Sequence, residues 1–194
     1  FLPHMLGGTE KGVYEISRRL VRKGHQVTVL TLDVQGYERQ SQIEGINIYR
    51  LPAISITKLI GAQLTVSPFS LPGANRTIRA IHPDIIHAHN LYFNLTAIAP
   101  VIKRLNRLPL VTTLHLPKMQ YYKLWLDLLI QVYQKTIGRF VVESSDKLIA
   151  VSKSVLKHAI EDLKTPPLKI YHIPNGVDTN VYVPSDRKRK RTII

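Results

Sequence analysis

Three histidines stand at spacings that carry chemistry. His87 and His89 lie two apart in Asp84-Ile85-Ile86-His87-Ala88-His89, so on a strand both imidazoles face one side, and His115 closes the later apolar run Leu110 to Leu114. Three imidazoles are a ligand set for catalytic zinc, which makes a metal-dependent hydrolase one reading. The plainer one separates them. His87 is a buried side chain satisfied by a backbone carbonyl, whereas His89, nearer the strand end, can hydrogen-bond hydroxyls or shuttle protons because imidazole titrates near neutrality. His25, His82, His158 and His172 have no comparable setting. The second constellation is Gly7-Gly8-Thr9-Glu10 at a helix entry. Unpaired N–H groups and the helix dipole favour an anion there, and the absent β-carbons let a phosphate or sugar come close. A simple tight turn fits the same residues, and the dinucleotide fingerprint G-x-G-x-x-G is absent.

The elements that must position these residues follow from periodicity. Glu10 to Lys23 carries Val13, Ile16 and Leu20 at helical spacing and stops at Gly24. Val27 to Leu32 reads as a strand buried on both faces, Ile46 to Leu51 as a second, and Ala53 to Asn75 as an irregular excursion. Arg76 to Ile81 predicts a short helix, Asp84 to His89 a strand, Leu95 to Asn106 a helix and Leu110 to Leu114 a strand. Tyr121 to Val142 is a long helical segment with apolar residues on all sides, which predicts core packing. Its Tyr121, Tyr122, Trp125 and Tyr133, near Lys118, Lys123 and Lys135, also suit a membrane surface. Lys147 to Val151 is a strand leading to a helix capped by Ser152, and Lys169 to Ile173 is the last strand.

Strands separated by helices imply an α/β domain, a Rossmann-like doubly wound parallel sheet whose ligands collect at the carboxyl ends of strands. Gly7-Gly8 should then follow a strand, and only Phe1 to Leu6 precede it, so the first strand of the sheet is expected upstream. The expected domain covers 1–178, with 179–194 as a linker into a further domain.

Composition bounds the chemistry. With 194 residues, 44% apolar, the chain suits one compact domain. The absence of cysteine removes thiol nucleophiles, disulfides and Cys-ligated metals, and permits a reducing compartment. No apolar run approaches the ~20 residues of a membrane span. A net charge of +14 favours anionic partners: phosphate-bearing small molecules, acidic lipid or nucleic acid. The run Arg187 to Arg191 lacks the interleaved aromatics of a single-strand reader, so a solvated linker is the plainer account and no nucleic-acid partner is expected.

In order and spacing these pieces resemble the N-terminal domain of a GT-B glycosyltransferase of family 4, the group that includes phosphatidylinositol mannosyltransferases and many capsule and lipopolysaccharide transferases. The resemblance spans nearly the whole chain. It rests on Gly7-Gly8-Thr9-Glu10, on Leu20 to Thr31, on Gly45 to Pro52, on Asp84 to His89, on Thr113-Leu114-His115, on Ala150-Val151-Ser152, and on Ile173 to Asp178. It implies half of a two-domain enzyme that moves a sugar from a nucleotide-sugar to a glycan, lipid or small-molecule acceptor, with retention and without a metal or other cofactor. By that resemblance His115 touches the donor sugar at the reacting centre, Gly7 and Gly8 approach the donor diphosphate, and Glu10 sits where acceptor contacts are made. His89, Asn90 and Lys118 are its neighbours by position. Leu116-Pro117 departs from the family's usual glycine or acid after the histidine. The second wall and most donor contacts belong to a C-terminal domain, so the chain alone is expected to be inactive. The implied location is cytoplasmic, with peripheral association at the inner face of the membrane. The alternative is a noncatalytic basic module that docks on anionic membrane or glycan surfaces.

Overall fold

The computed structural model describes residues 7–56, 65–117 and 123–179. Lys118, Tyr121, Tyr122, the expected linker from 180 onward and any strand ahead of Gly7 lie outside them. Helix α1 (Gly8–Arg22) opens on Gly7, whose extended backbone brings no side-chain cap. Strand β1 (Val27–Asp33) follows, then β2 (Gln40–Ile43) and β3 (Ile46–Pro52). β3 pairs in parallel with β1, Val27 opposite Ile46, and antiparallel with β2, Ile43 opposite Ile46. Between β2 and β3 the chain turns through Glu44 and Gly45, both left-handed at φ 49° and 79°. This is the backbone a two-residue hairpin turn demands. A β-carbon on Gly45 would stand 2.7 Å from Val21 Cγ1, so the turn is also where α1 closes on the sheet. Ile46 and Ile48 are fully buried there, with Tyr14, Val21, Val27 and Val29 packed around them.

Strands β4 (Ile54–Ser55) and β5 (Thr65–Val66) form a small antiparallel pair. Helix α2 (Ser70–Ile81) starts six residues before the expected Arg76. Pro72 and Gly73, inside the stretch expected to be irregular, lie in its first turn, where a missing N–H costs no helical bond. A β-carbon on Gly73 would come 2.7 Å from Leu51 Cδ2, which marks the close approach of α2 to β3.

The second half repeats strand and helix: β6 (Ile86–His89), α3 (Asn94–Asn106), β7 (Leu110–Leu114), α4 (Leu124–Tyr133), a π-helical turn (Gln134–Gly138), α5 (Arg139–Ser144), β8 (Lys147–Ala150), α6 (Lys153–Glu161) and β9 (Ile170–His172). These strands form a parallel sheet in the order β6-β7-β8-β9. Its core gathers Leu91, Leu114, Val141, Val142, Leu148 and Val155. Asp146 fixes the start of β7: its carboxylate accepts from the Leu110 N–H at 2.7 Å and from Lys103 Nζ at 2.6 Å. Ser152 caps α6, accepting from the Val155 N–H at 3.2 Å, as its sequence position predicts. The α/β class and the parallel sheet are as expected. Among the described residues, however, the larger strands form two sheets, one four-stranded and parallel and one three-stranded and mixed, rather than one.

Candidate functional site

β6 and β7 run parallel with His89 opposite Thr113, so the two strands end side by side. His115, one residue past β7, places Nε2 3.2 Å from His89 Nδ1, within reach of a hydrogen bond in which one ring donates and the other accepts. His87 lies on the same side of β6, its ring centroid 4.1 Å from that of His89. His87, expected to be buried, is exposed because β6 leaves that side of its ring uncovered, and its Nε2 meets the Thr113 hydroxyl at 2.8 Å rather than the expected carbonyl.

Rings held this closely in a partly desolvated place resist charging. Burial, and after it the neighbouring His87 and His115, push His89 down to about 2. Burial, then His115, takes His87 down to about 4. Burial lowers His115 as well, while the charge of Glu10 works in the opposite direction. At neutral pH the cluster therefore offers neutral donors and acceptors, which suits hydroxyl groups better than anions. The Thr113 bond occupies His87, and among the described residues no group of three or more His, Asp or Glu side chains is arranged to hold a metal ion.

The first turn of α1 lies within electrostatic range of this pair, since the charge of Glu10 acts on His115. Its carboxylate folds back toward the helix start: a β-carbon on Gly7 would lie 2.7 Å from Glu10 Oε2. At Gly8 a β-carbon would meet nothing within 4 Å. Of the sequence-derived site residues, His89 and His115 are brought into contact and Glu10 acts on His115 through its charge, with Gly7 and Gly8 beside Glu10 at the start of α1. Asn90 is adjacent but buried and committed to its own turn: it is left-handed at φ 65°, its N–H donates to the Thr113 carbonyl at 2.9 Å, and its Oδ1 accepts from the Tyr92 N–H.

One residue was missed. His158 on α6 is 5% exposed, bonds Asp162 through Nδ1 at 2.6 Å and leaves Nε2 buried without a partner among the described residues. It lines a cavity of about 10 Å³ with Asn90, Leu114, His115 and Leu163, the space of about one water. The spacing His158…Asp162, i to i+4 on a helix, was the available signal.

A family model described as Glycosyltransferase Family 4 matches residues 6–181. Among curated proteins, a glycogen synthase of Mycobacterium tuberculosis is 25% identical over 98% of this chain and 49% of its own length. A phosphatidylinositol N-acetylglucosaminyltransferase component of Arabidopsis thaliana is 23% identical over 100% of this chain and 42% of its own. The chain thus spans somewhat under half of these relatives. Among solved structures, Anabaena HepE in complex with UDP-glucose aligns at a TM-score of 0.62 and 18% identity, over 94% of this chain and 44% of that one. A glycosyltransferase from Rickettsia africae aligns at 0.57 and 20% identity, over 97% and 45%. These likenesses carry the fold, and the sequence relatives are transferases, so a noncatalytic docking module is not favoured.

Proposed function

The chain belongs to glycosyltransferase family 4, and from that premise we propose that it forms one wall of a crevice in which a sugar passes from a nucleotide-sugar to an acceptor hydroxyl. The observation that carries the reading is the bonded His89–His115 pair, on which the charge of Glu10 in the first turn of α1 acts. The open backbone at Gly8, next to the positive end of the helix dipole, suits a donor diphosphate. HepE, similar in fold, holds UDP-glucose, which makes a UDP-sugar the first donor to try. His115 then meets the donor sugar at the reacting centre. Glu10, His89, Asn90 and Lys118 face a glycan, lipid-linked or small-molecule acceptor.

In the proposed step the bond from anomeric carbon to phosphate oxygen breaks and the acceptor oxygen bonds that carbon from the same face. The acceptor proton passes to the departing phosphate, so the configuration is retained and no carboxylate nucleophile is needed. The helix start meets charge growing on the phosphate, and we assign no metal to the reaction. Electrostatic stabilisation requires donors fixed on both sides of the reacting atoms. Because the chain spans under half of its relatives, the second wall is assigned to a C-terminal domain, and the chain alone should turn over negligible donor.

The test is transfer from UDP-glucose by the polypeptide that carries both walls. His115→Ala should lower turnover by about 100-fold, the loss typical of one preorganised contact. Gly8→Trp should abolish donor binding with little change in stability, since its β-carbon meets no neighbour. Transfer that survives both substitutions would refute the assignment.

A further inference from the structure

α6 buries Val155, His158 and Ala159, the i, i+3, i+4 set of an inward face, so an imidazole stands where the pattern calls for an apolar side chain. A buried imidazole must bond through both nitrogens or leave one unsatisfied at a cost. The Asp162 carboxylate meets Nδ1 at 2.6 Å, and because a carboxylate only accepts, Nδ1 carries the hydrogen. In the neutral ring Nε2 is then a lone pair, and it is buried with no partner among the described residues.

Asp162 thus explains one nitrogen, and the cavity accounts for the other. His158 shares that space of about 10 Å³ with His115 and Asn90, and the rest of its wall is mostly leucine. A space of this size holds one water where at least two polar groups meet it. The two imidazoles fill that requirement, and Asn90 adds a third polar residue. His115 has a nitrogen for the purpose: its Nε2 is held by His89 Nδ1 at 3.2 Å, which leaves Nδ1.

We propose that one water in this cavity joins His158 Nε2 to His115 Nδ1, which makes His158 a positioning residue that sets the tautomer of the site pair. The water gives one hydrogen to the His158 lone pair, and its oxygen accepts from the N–H at His115 Nδ1. His115 Nε2 is then the acceptor in its bond with His89, and His89 Nδ1 the donor. Every hydrogen from His89 through His115, the water and His158 therefore points toward Asp162, a half-exposed carboxylate. Rings held in one tautomer present fixed donors and acceptors that need no reorganisation during a reaction. What this gives to catalysis rests on the role proposed for His115 above; the tautomers themselves do not.

The test is a long-range proton–nitrogen correlation spectrum of the full chain, labelled with nitrogen-15 at histidine and recorded near pH 8, where an ordinary imidazole is neutral. It separates a protonated ring nitrogen from a bare one. The expected result is a hydrogen on Nδ1 of His158, His115 and His89. His158→Leu removes the acceptor, so His115 and His89 should exchange between tautomers and the two nitrogen shifts of each ring should converge. His158→Gln, whose side-chain oxygen still accepts from the water, should restore the wild-type pattern. An unchanged His115 tautomer in a folded Leu variant would overturn the proposal, and so would a Gln variant that behaves like the Leu one. A wild-type spectrum with His115 protonated at Nε2 would overturn it whether or not the Leu variant folds, as would a His158 Hε1 proton without a cross-peak to bound water. Donor turnover plays no part in these readings, so failed sugar transfer would refute the proposed function and leave them standing.

Discussion

Mild acid should destabilise this protein through its imidazole cluster. In the unfolded chain His89 takes a proton at its ordinary value of 6.5, whereas burial and its neighbours hold it to about 2 in the fold. Because the folded value is the lower one, the contribution of neutral His89 is complete above pH 6.5. It is lost progressively as pH falls from there toward the folded value. Each unit is worth about 1.4 kcal/mol, so by pH 5 His89 alone removes roughly 2 kcal/mol. That is a large share of a total near 5–15 kcal/mol, and it should lower the urea midpoint by roughly 1 M. His115 acts in the same direction, moderated by Glu10. The assay is a series of urea melts between neutral pH and pH 5 on wild type and His89→Asn. The variant's absolute stability does not matter; its slope against pH does, and the slope should flatten by about one proton. Equal slopes would show that the ring is freely protonated in the fold, and the neutral-cluster argument would fail with it.

Three further outcomes test the scaffold that holds the site. Gly45→Ala should cost about 1–2 kcal/mol in urea unfolding, since the turn needs φ 79° and the added carbon would stand 2.7 Å from Val21 Cγ1. Ser152→Ala removes the cap on the Val155 N–H and should cost about 1 kcal/mol in the same measurement. Burial works against the Asp146 carboxylate, but its bonds from Lys103 and Leu110 outweigh that and hold it below its ordinary 3.8. Its contribution is present above 3.8 and lost as pH falls below, so Asp146→Asn should destabilise the fold at neutral pH while removing that part of the acid sensitivity, as read by melts near pH 3.

Elements whose burial writes a period into the sequence were legible, and those held by context were not. β7 runs from Leu110 to Leu114 as expected because its residues are almost all buried; β1 is legible from its β-branched run although it is half-buried throughout rather than buried on both faces, and β3 from the alternation that buries Ile46, Ile48 and Arg50. β2 is Gln-Ser-Gln-Ile at an edge, too polar to declare itself, and only its pairing with β3 makes it a strand. The His89–His115 contact was within reach, since sequential parallel strands end side by side and both residues sit at those ends. The proximity of Glu10 was not written in any spacing; it rested on resemblance. The bond that His87 makes depends on Thr113, a partner that only the register between β6 and β7 supplies.

The segment Tyr121 to Val142 exposes a flaw in a common inference. Apolar residues on all sides of a helix are taken to mean that the protein's own core surrounds it. Burial needs something to cover each face, and α4 packs on its own chain along one side only, where Leu126 is 3% exposed. Leu124 and Leu128, on the opposite side, are 87 and 62% exposed, so the second half of the apolar pattern is not buried among the described residues. The π-turn keeps the inward side in step, carrying Gln134 and Gly138 onto Leu91 and Tyr92 and leading directly into Val141 and Val142 of α5. An apolar pattern on all sides of a helix therefore overstates its burial: Leu126 is covered while Leu124 and Leu128 are not.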